Sequence, residues 1–259
     1  MRETVSELLE QIGRVRRAFL LLDYDGTLVP IAPTPELARP TPELLHILRR
    51  LVSHDRWQVA IVSGRSLREL EGLVPVDGLF YIGAHGAEIR TPTGERHRLA
   101  ADDSREPLEE LAQTLEAVLA DCPGCLLERK GFSLALHYRQ ARDEVVQTAL
   151  AHFLRLGEPL VRSGAFEWLK GKKIFELRPA GVNKGHAVQE LLKRYARPEE
   201  QPVYVGDDET DEDAFRILRD SGITVLVSPE ARPTRAQYRV DSPQEVHRLL
   251  ELLADIYGA

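Results

Sequence analysis

Three short apolar runs, each ending in polar residues, constrain the fold of this chain more than any other feature. AFLLLD (18–23), WQVAIVSGR (57–65) and PVYVGDD (202–208) run apolar without an alternating polar face until their last residues. A strand of that kind is buried on both sides, as in a parallel sheet covered by helices. Helical patterns separate the runs. Val5, Leu8, Leu9, Ile12 and Val15 recur at helical spacing ahead of the first. Thr41-Pro42 opens a helix, with threonine at the cap and proline in the first turn. Ser66 and Glu69 have the spacing of a capping box. GLFYIGAHGAEI (78–89) reads as a third strand with a glycine-rich turn, and ITVLV (223–227) as the last strand. Helices are expected over 183–195, from a cap at Thr210 to a stop near Gly222, and over 243–257. The segment holding Pro30, Pro33, Pro35, Pro40 and Pro42 is expected to be an extended loop.

Between residues 102 and 179 the pattern changes to helix, hairpin, helix, hairpin. Helices over 104–120 and 142–156 alternate with LLERKGFSLALHYR and EPLVRSGAFEWLKGKKIFELRP. The expected fold is therefore α/β: a core of residues 1–101 and 180–259 built on a parallel sheet, interrupted by a smaller α+β domain over 102–179. The candidate hinges are Ala101 and Pro179-Ala180-Gly181.

At 259 residues with 43% apolar content, the chain can bury a core without disulfides or structural metals. Its formal charge of -7 argues against nucleic acid and anionic membranes as partners. No apolar run approaches the roughly 20 residues that span a bilayer, and the N-terminal segment lacks the small-residue cleavage site of a signal peptide. The expectation is a cytoplasmic monomer acting on a small molecule. Cys122 and Cys125, in CPGC, have no matching Cys or His pair for zinc and read as a turn.

Ligands of open α/β sheets bind outside the carboxyl ends of the strands. There the chain places Asp23-Tyr24-Asp25-Gly26-Thr27, Ser63-Gly64-Arg65 and Asp207-Asp208, with Lys184 at the start of a helix. Close carboxylates repel unless a cation lies between them. Oxygen ligands without histidine or thiolate favour magnesium. A magnesium site beside a lysine, a serine and a helix N-terminus suits a phosphate. Asp23 could then attack phosphorus, and Asp25, two residues on, could protonate the leaving alkoxide and later activate water. A lone acid at a strand end commonly caps a turn. Four such groups in compatible order ask for a common explanation. No P-loop pattern is present.

DYDGTL (23–28), SGR (63–65), NKG (183–185) and GDDETDEDAF (206–215) resemble the four motifs of the haloacid dehalogenase superfamily. The resemblance implies a Rossmann-like core, magnesium, and an aspartyl-phosphate intermediate. It implies Asp23 as nucleophile, Asp25 as acid/base, and Ser63, Gly64 and Lys184 as phosphate binders. Magnesium would be held by Asp23, the backbone carbonyl of Asp25, and Asp207, with Asp208 and Asp211 nearby. Over nearly the whole chain, DYDGTLVPI, IGAHGAE, ERKGFSLALHYR, KGKKIFELRP and GDDETDEDAF are similar to the trehalose-phosphate phosphatases. In that family the inserted domain is a cap that closes over the core and grips the disaccharide. The matching positions are Glu128, Lys130, Arg139, Lys172 and Glu176. The implied substrate is trehalose 6-phosphate. Sucrose phosphate or a glycosyl phosphoglycerate is the alternative within the same enzyme class. A receiver-like phospho-acceptor module, about half this length, is the alternative outside it. His137 reads as a structural or exposed strand residue rather than a ligand, and Trp168 as core rather than a sugar-stacking wall.

Overall fold

The computed structural model describes residues 5–100, 105–171 and 173–257. These form two compact units, Met1–His97 with Asn183–Ala259, and Arg98–Val182. No described helix is long and apolar enough to cross a membrane.

The first unit is built on strands β1 (Arg17–Asp23), β2 (Trp57–Val62), β3 (Phe80–Gly83) and β4 (Glu88–Arg90), with β5 (Arg96–Arg98) at the edge. Later in the chain, β10 (Glu200–Gly206), β11 (Ile223–Val227) and β12 (Tyr238–Val240) complete an eight-stranded sheet in the order β12-β11-β10-β1-β2-β3-β4-β5. From β12 to β3 every neighbouring pair is parallel. The central strand β1 has Leu22 level with Val205 of β10 and Asp23 level with Val62 of β2. Ser63 and Asp207 therefore leave the sheet beside Asp23, because β2 ends at Val62 and β10 one residue past Val205.

Helices α1 (Val5–Gly13), α2 (Pro42–Ser53), α3 (Leu67–Leu73) and α8 (Pro243–Tyr257) share one core with Leu20, Leu22, Val59, Ile61, Val203 and Val205 of the sheet. Alternate residues of the same strands point the other way. Phe19 stacks on Phe80, and Phe80 on Tyr195 at the end of α6 (Lys184–Tyr195). Tyr204 meets Phe215 of α7 (Glu212–Leu218) edge-on. Burial on both faces accounts for the unbroken apolar runs.

The second unit comprises α4 (Arg105–Leu119), β6 (Leu126–Arg129), β7 (Leu134–His137), α5 (Asp143–Arg162), β8 (Phe166–Gly171) and β9 (Ile174–Pro179). Its strands form an antiparallel sheet in the order β6-β7-β9-β8. Leu134, Leu136, Phe166 and Leu177 pack on Leu111, Leu115, Ala149 and Phe153 of the helices. Trp168 belongs to this core, its ring 5.4 Å from those of Phe153 and Phe175. Cys122 and Cys125 are free thiols in the turn between α4 and β6, closed by Cys125 N–H to Cys122 O.

Several local expectations are corrected. Residues 78–89 make two antiparallel strands, β3 and β4, because Ala84 and His85 adopt positive φ (49° and 54°) and reverse the chain. Strand β12 lies beyond ITVLV, as a three-residue edge strand too short to announce itself. Asp208, not Thr210, caps the segment leading into α7, forming a capping box with Asp211 around a short 3₁₀ turn. Pro35–Leu37 is also a 3₁₀ turn inside the proline loop. Helix α5 runs to Arg162 through Pro159, six residues further than its pattern suggests. Gly157 within it allows the Trp168 ring close approach: a Cβ there would lie 2.4 Å from Cη2.

Candidate active site

The site in the first unit begins with Asp23, the buried last residue of β1. Lys184, first residue of α6, donates from Nζ to Asp23 Oδ1 at 2.6 Å and to Asp211 Oδ1 at 2.7 Å. Asn183 caps that helix, its side chain accepting from His186 N–H at 2.8 Å, which fixes where Lys184 begins. Gly185 is required next, since a Cβ there would meet Asp213 O at 2.6 Å.

Carboxylate oxygens of Asp23, Asp207 and Asp211 lie within 4.8 Å of one another. Asp211 is fully engaged. Its Oδ1 accepts from Lys184 and from Tyr204 OH, and its Oδ2 from the backbone N–H groups of Asp207 and Asp208. It organises the loop rather than offering a free oxygen. Thr27 Oγ1 donates to Asp207 Oδ1 at 3.3 Å. Gly26, at φ 90°, leaves the space into which the Asp207 carboxylate packs; a Cβ would sit 2.2 Å from Oδ2. Asp23 Oδ2 is buried and has no hydrogen-bond partner.

The electrostatics follow from burial. Desolvation pushes Asp23 well above the usual carboxylate range; Lys184 opposes this, while Asp211 and Asp207 add to it. Burial and then Asp211 raise Asp207 from 3.8 to about 7. Burial alone would favour neutral Lys184, but Asp211 and Asp23 outweigh it and hold the ammonium above the ordinary lysine range. With all three ionised, the carboxylates would face one ammonium with a surplus of two negative charges, which is what raises them. The orphaned Asp23 oxygen, the all-oxygen donor set and that surplus fit a hard divalent cation.

Ser63 is buried one residue past β2, its Oγ accepting from Arg65 N–H at 3.1 Å. The His85 ring packs where a Cβ on Gly64 would be, 2.3 Å from Cε1, so a side chain at 64 would displace it. Asp25 is held by Arg65 in a two-pronged pair, Nε to Oδ2 and Nη2 to Oδ1, both 2.7 Å. Arg65 also donates to Pro35 O and lies over the Tyr24 ring. Asp208 caps the following turn through Glu209 N–H.

In the second unit, Lys130 Nζ donates to Glu176 Oε2 at 3.0 Å and lies 3.9 Å from Glu128 Oε2. Glu128, Ala135 and Glu176 are level across β6, β7 and β9, and so share a face. Lys130 and Glu176 are buried. Burial would raise Glu128, but the His137 hydrogen bond at 2.6 Å and Lys130 hold it below its usual value. Arg139 is exposed in the turn after β7. Lys172 lies outside the described residues.

A family model described as trehalose-phosphatase matches residues 21–244, most of the chain. This chain belongs to the trehalose-phosphatase family. Trehalose-phosphate phosphatase B of Arabidopsis thaliana is 34% identical over 255 residues, covering 93% of this chain and 67% of that protein. A Mycobacterium tuberculosis protein named as an uncharacterized glycosyl hydrolase is 35% identical over 256 residues, 95% of this chain but only 19% of its own length. Among solved structures, the C-terminal domain of a C. albicans trehalose-6-phosphate phosphatase superposes with a TM-score of 0.84 at 28% identity, covering 98% of this chain and 97% of that one. The family's fold, a haloacid dehalogenase core with a small antiparallel sheet in an inserted module, is the fold seen here.

Sequence reasoning passed over three members of these clusters. Arg65 stood in the SGR motif, yet its grip on Asp25 depends on a turn geometry that spacing does not encode. Tyr204 looked like one more apolar strand residue. His137 was read as structural, although two positions separate it from Ala135, which is level with Glu128.

Proposed function

We propose that this chain hydrolyses trehalose 6-phosphate to trehalose and phosphate, with Asp23 as nucleophile. The observation that carries the reading is the buried Asp23 carboxylate, one oxygen held by Lys184 and the other without a partner, at the mouth of a parallel sheet. An Asp23 oxygen attacks phosphorus as the bond to the sugar oxygen breaks, and Asp25 gives that oxygen its proton. Water, losing a proton to Asp25, then attacks the aspartyl-phosphate; the acyl–phosphate bond breaks, phosphate leaves and Asp23 is restored. Both Asp25 oxygens accept from Arg65 here, which orients the carboxylate and leaves each oxygen a second lone pair for the proton. Lys184 and Ser63 bind the phosphoryl oxygens, beside Gly64.

Asp23, Asp207 and the backbone carbonyl of Asp25 would hold Mg2+, which supplies countercharge to the transferring phosphoryl group. Asp211 fixes Lys184 and the Asp207 loop, and Asp208 caps the turn that follows. In the second unit, Glu128, Lys130 and Glu176 recognise sugar hydroxyls, since ionised groups form the stronger hydrogen bonds to them; Arg139 and Lys172 are proposed to assist. Rapid quenching of enzyme mixed with trehalose 6-phosphate and Mg2+ should trap phosphate on Asp23. Label found on another residue, or none during steady turnover, would reject this assignment.

A further inference from the structure

We infer that Arg232, in the loop joining β11 to β12, is a positioning residue that sets the affinity of the acidic site for its divalent cation. The inference rests on the Mg2+ reading above and concerns a residue that itself has no place among the ligands. Arg232 Nη2 donates to the backbone carbonyl of Asp207 at 2.9 Å. That bond completes an enclosure of the Asp207 backbone. The peptide before Asp207 is pinned by its N–H to Asp211 Oδ2, 2.9 Å. The peptide after it is pinned at both ends, by its C=O to Arg232 and by the Asp208 N–H to the same Asp211 oxygen, 2.9 Å. With the planes on both sides of the Cα fixed, the direction of the Cα–Cβ bond is fixed too. Only side-chain rotation remains, and Thr27 restrains it through the 3.3 Å bond to Oδ1.

Asp211 and Arg232 do different work in this frame. Asp211 is buried and also anchors Lys184 and Tyr204, so replacing it disturbs the whole site. Arg232 is about one-third exposed and reaches the site from outside, its Nη1 also 3.8 Å from Glu212 Oε1, on a loop that has further anchors. Thr234 Oγ1 and Arg235 N–H bind Glu212 at the start of α7, and Arg239 Nη1 binds the carbonyls of Ser228 and Pro229. The loop is therefore held whether or not the Arg232 bond forms, and its contribution can be separated from folding. Groups that orient a metal ligand typically change metal affinity by about 10–100-fold when removed. A single bond to a backbone carbonyl, with Asp211 still in place, belongs at the lower end of that range.

The test titrates Mg2+ against thermal unfolding of substrate-free protein, and separately against turnover of p-nitrophenyl phosphate, for wild type, Arg232→Ala, Arg232→Lys and Arg239→Ala. Arg232→Ala should need about tenfold more Mg2+ to reach a given rise in unfolding temperature, and about tenfold more for half-maximal turnover, its Mg2+ midpoint, with turnover at saturating Mg2+ close to wild type. Arg232→Lys, which keeps a cationic donor, should lie between the two. Arg239→Ala loosens the same loop without touching Asp207 and should retain the wild-type midpoint. An unchanged midpoint in Arg232→Ala, or an equal shift in Arg239→Ala, would overturn the inference; so would lost turnover at saturating Mg2+. Should Arg232→Ala fail to fold, the lysine variant carries the comparison, and a wild-type midpoint there overturns the inference. Wild-type protein with no saturable response to Mg2+ would instead reject the metal reading itself, and this inference with it.

Discussion

Asp23 and Lys184 define the chemistry at the scale of single residues. The Asp23 carboxylate is buried, so its charge depends on the ammonium beside it and, in the proposed function, on a cation at its other oxygen. Asp23→Asn keeps the shape and a hydrogen-bond acceptor but removes the carboxylate proposed as nucleophile. It should lose turnover by several orders of magnitude while far-UV dichroism and the unfolding transition remain those of a folded protein; residual activity within tenfold of wild type would contradict the assignment. Asp207 gives a pH signature. Its carboxyl is raised from 3.8 to about 7 in the metal-free fold, so between those values the folded chain carries more protons than the unfolded chain. The stability this lends to metal-free protein is present at low pH and is lost as pH rises through about 7. A cation competing for the same oxygen has the opposite trend. Thermal stabilisation by Mg2+ should therefore be larger at pH 8 than at pH 6, and the reverse order would refute the raised Asp207.

Elements reveal where the sequence was readable. The β1, β2 and β10 runs were legible because burial on both faces leaves an unbroken apolar string, the Thr41 cap because Pro42 follows it, and the Ser66 cap because Glu69 sits three residues away. The glycine-rich turn after β3 was legible, but the return strand β4 was not, since the reversal rests on Ala84 and His85 in a backbone region that side chains rarely favour. The length of α5 was hidden by Gly157 and Pro159, which ordinarily end helices. Packing overrides propensity there, because Gly157 makes room for Trp168. Gly157→Ala should gain about 1 kcal/mol of helix propensity but lose about 1–3 kcal/mol through overpacking against the indole. Net destabilisation by chemical denaturation is the expected result; a stabilised variant would mean that the ring yields freely. Within the same unit, Glu128→Ala or Glu176→Ala should raise KM for trehalose 6-phosphate at least tenfold while sparing p-nitrophenyl phosphate. Equal loss on both would remove the sugar-binding role.

For the molecule as a whole, the sequence disclosed two units and the convergence of Asp23, Asp207 and Lys184, since parallel strands deliver their carboxyl ends to one edge of a sheet. It did not disclose the connections that run sideways between side chains, such as Arg65 to Asp25, Arg232 to Asp207 and His137 to Glu128. Those depend on turn geometry and strand register, which leave no periodic mark. The proposed function combines magnesium-dependent phosphoryl transfer at Asp23 in the first unit with disaccharide recognition by Glu128, Lys130 and Glu176 in the second. It is tested most directly by measuring phosphate release from a panel of sugar phosphates, each with Mg2+ and with chelator. Trehalose 6-phosphate should be among the fastest substrates, and chelation should abolish its turnover. Comparable release under chelation, or trehalose 6-phosphate ranking among the poorest substrates, would contradict the account.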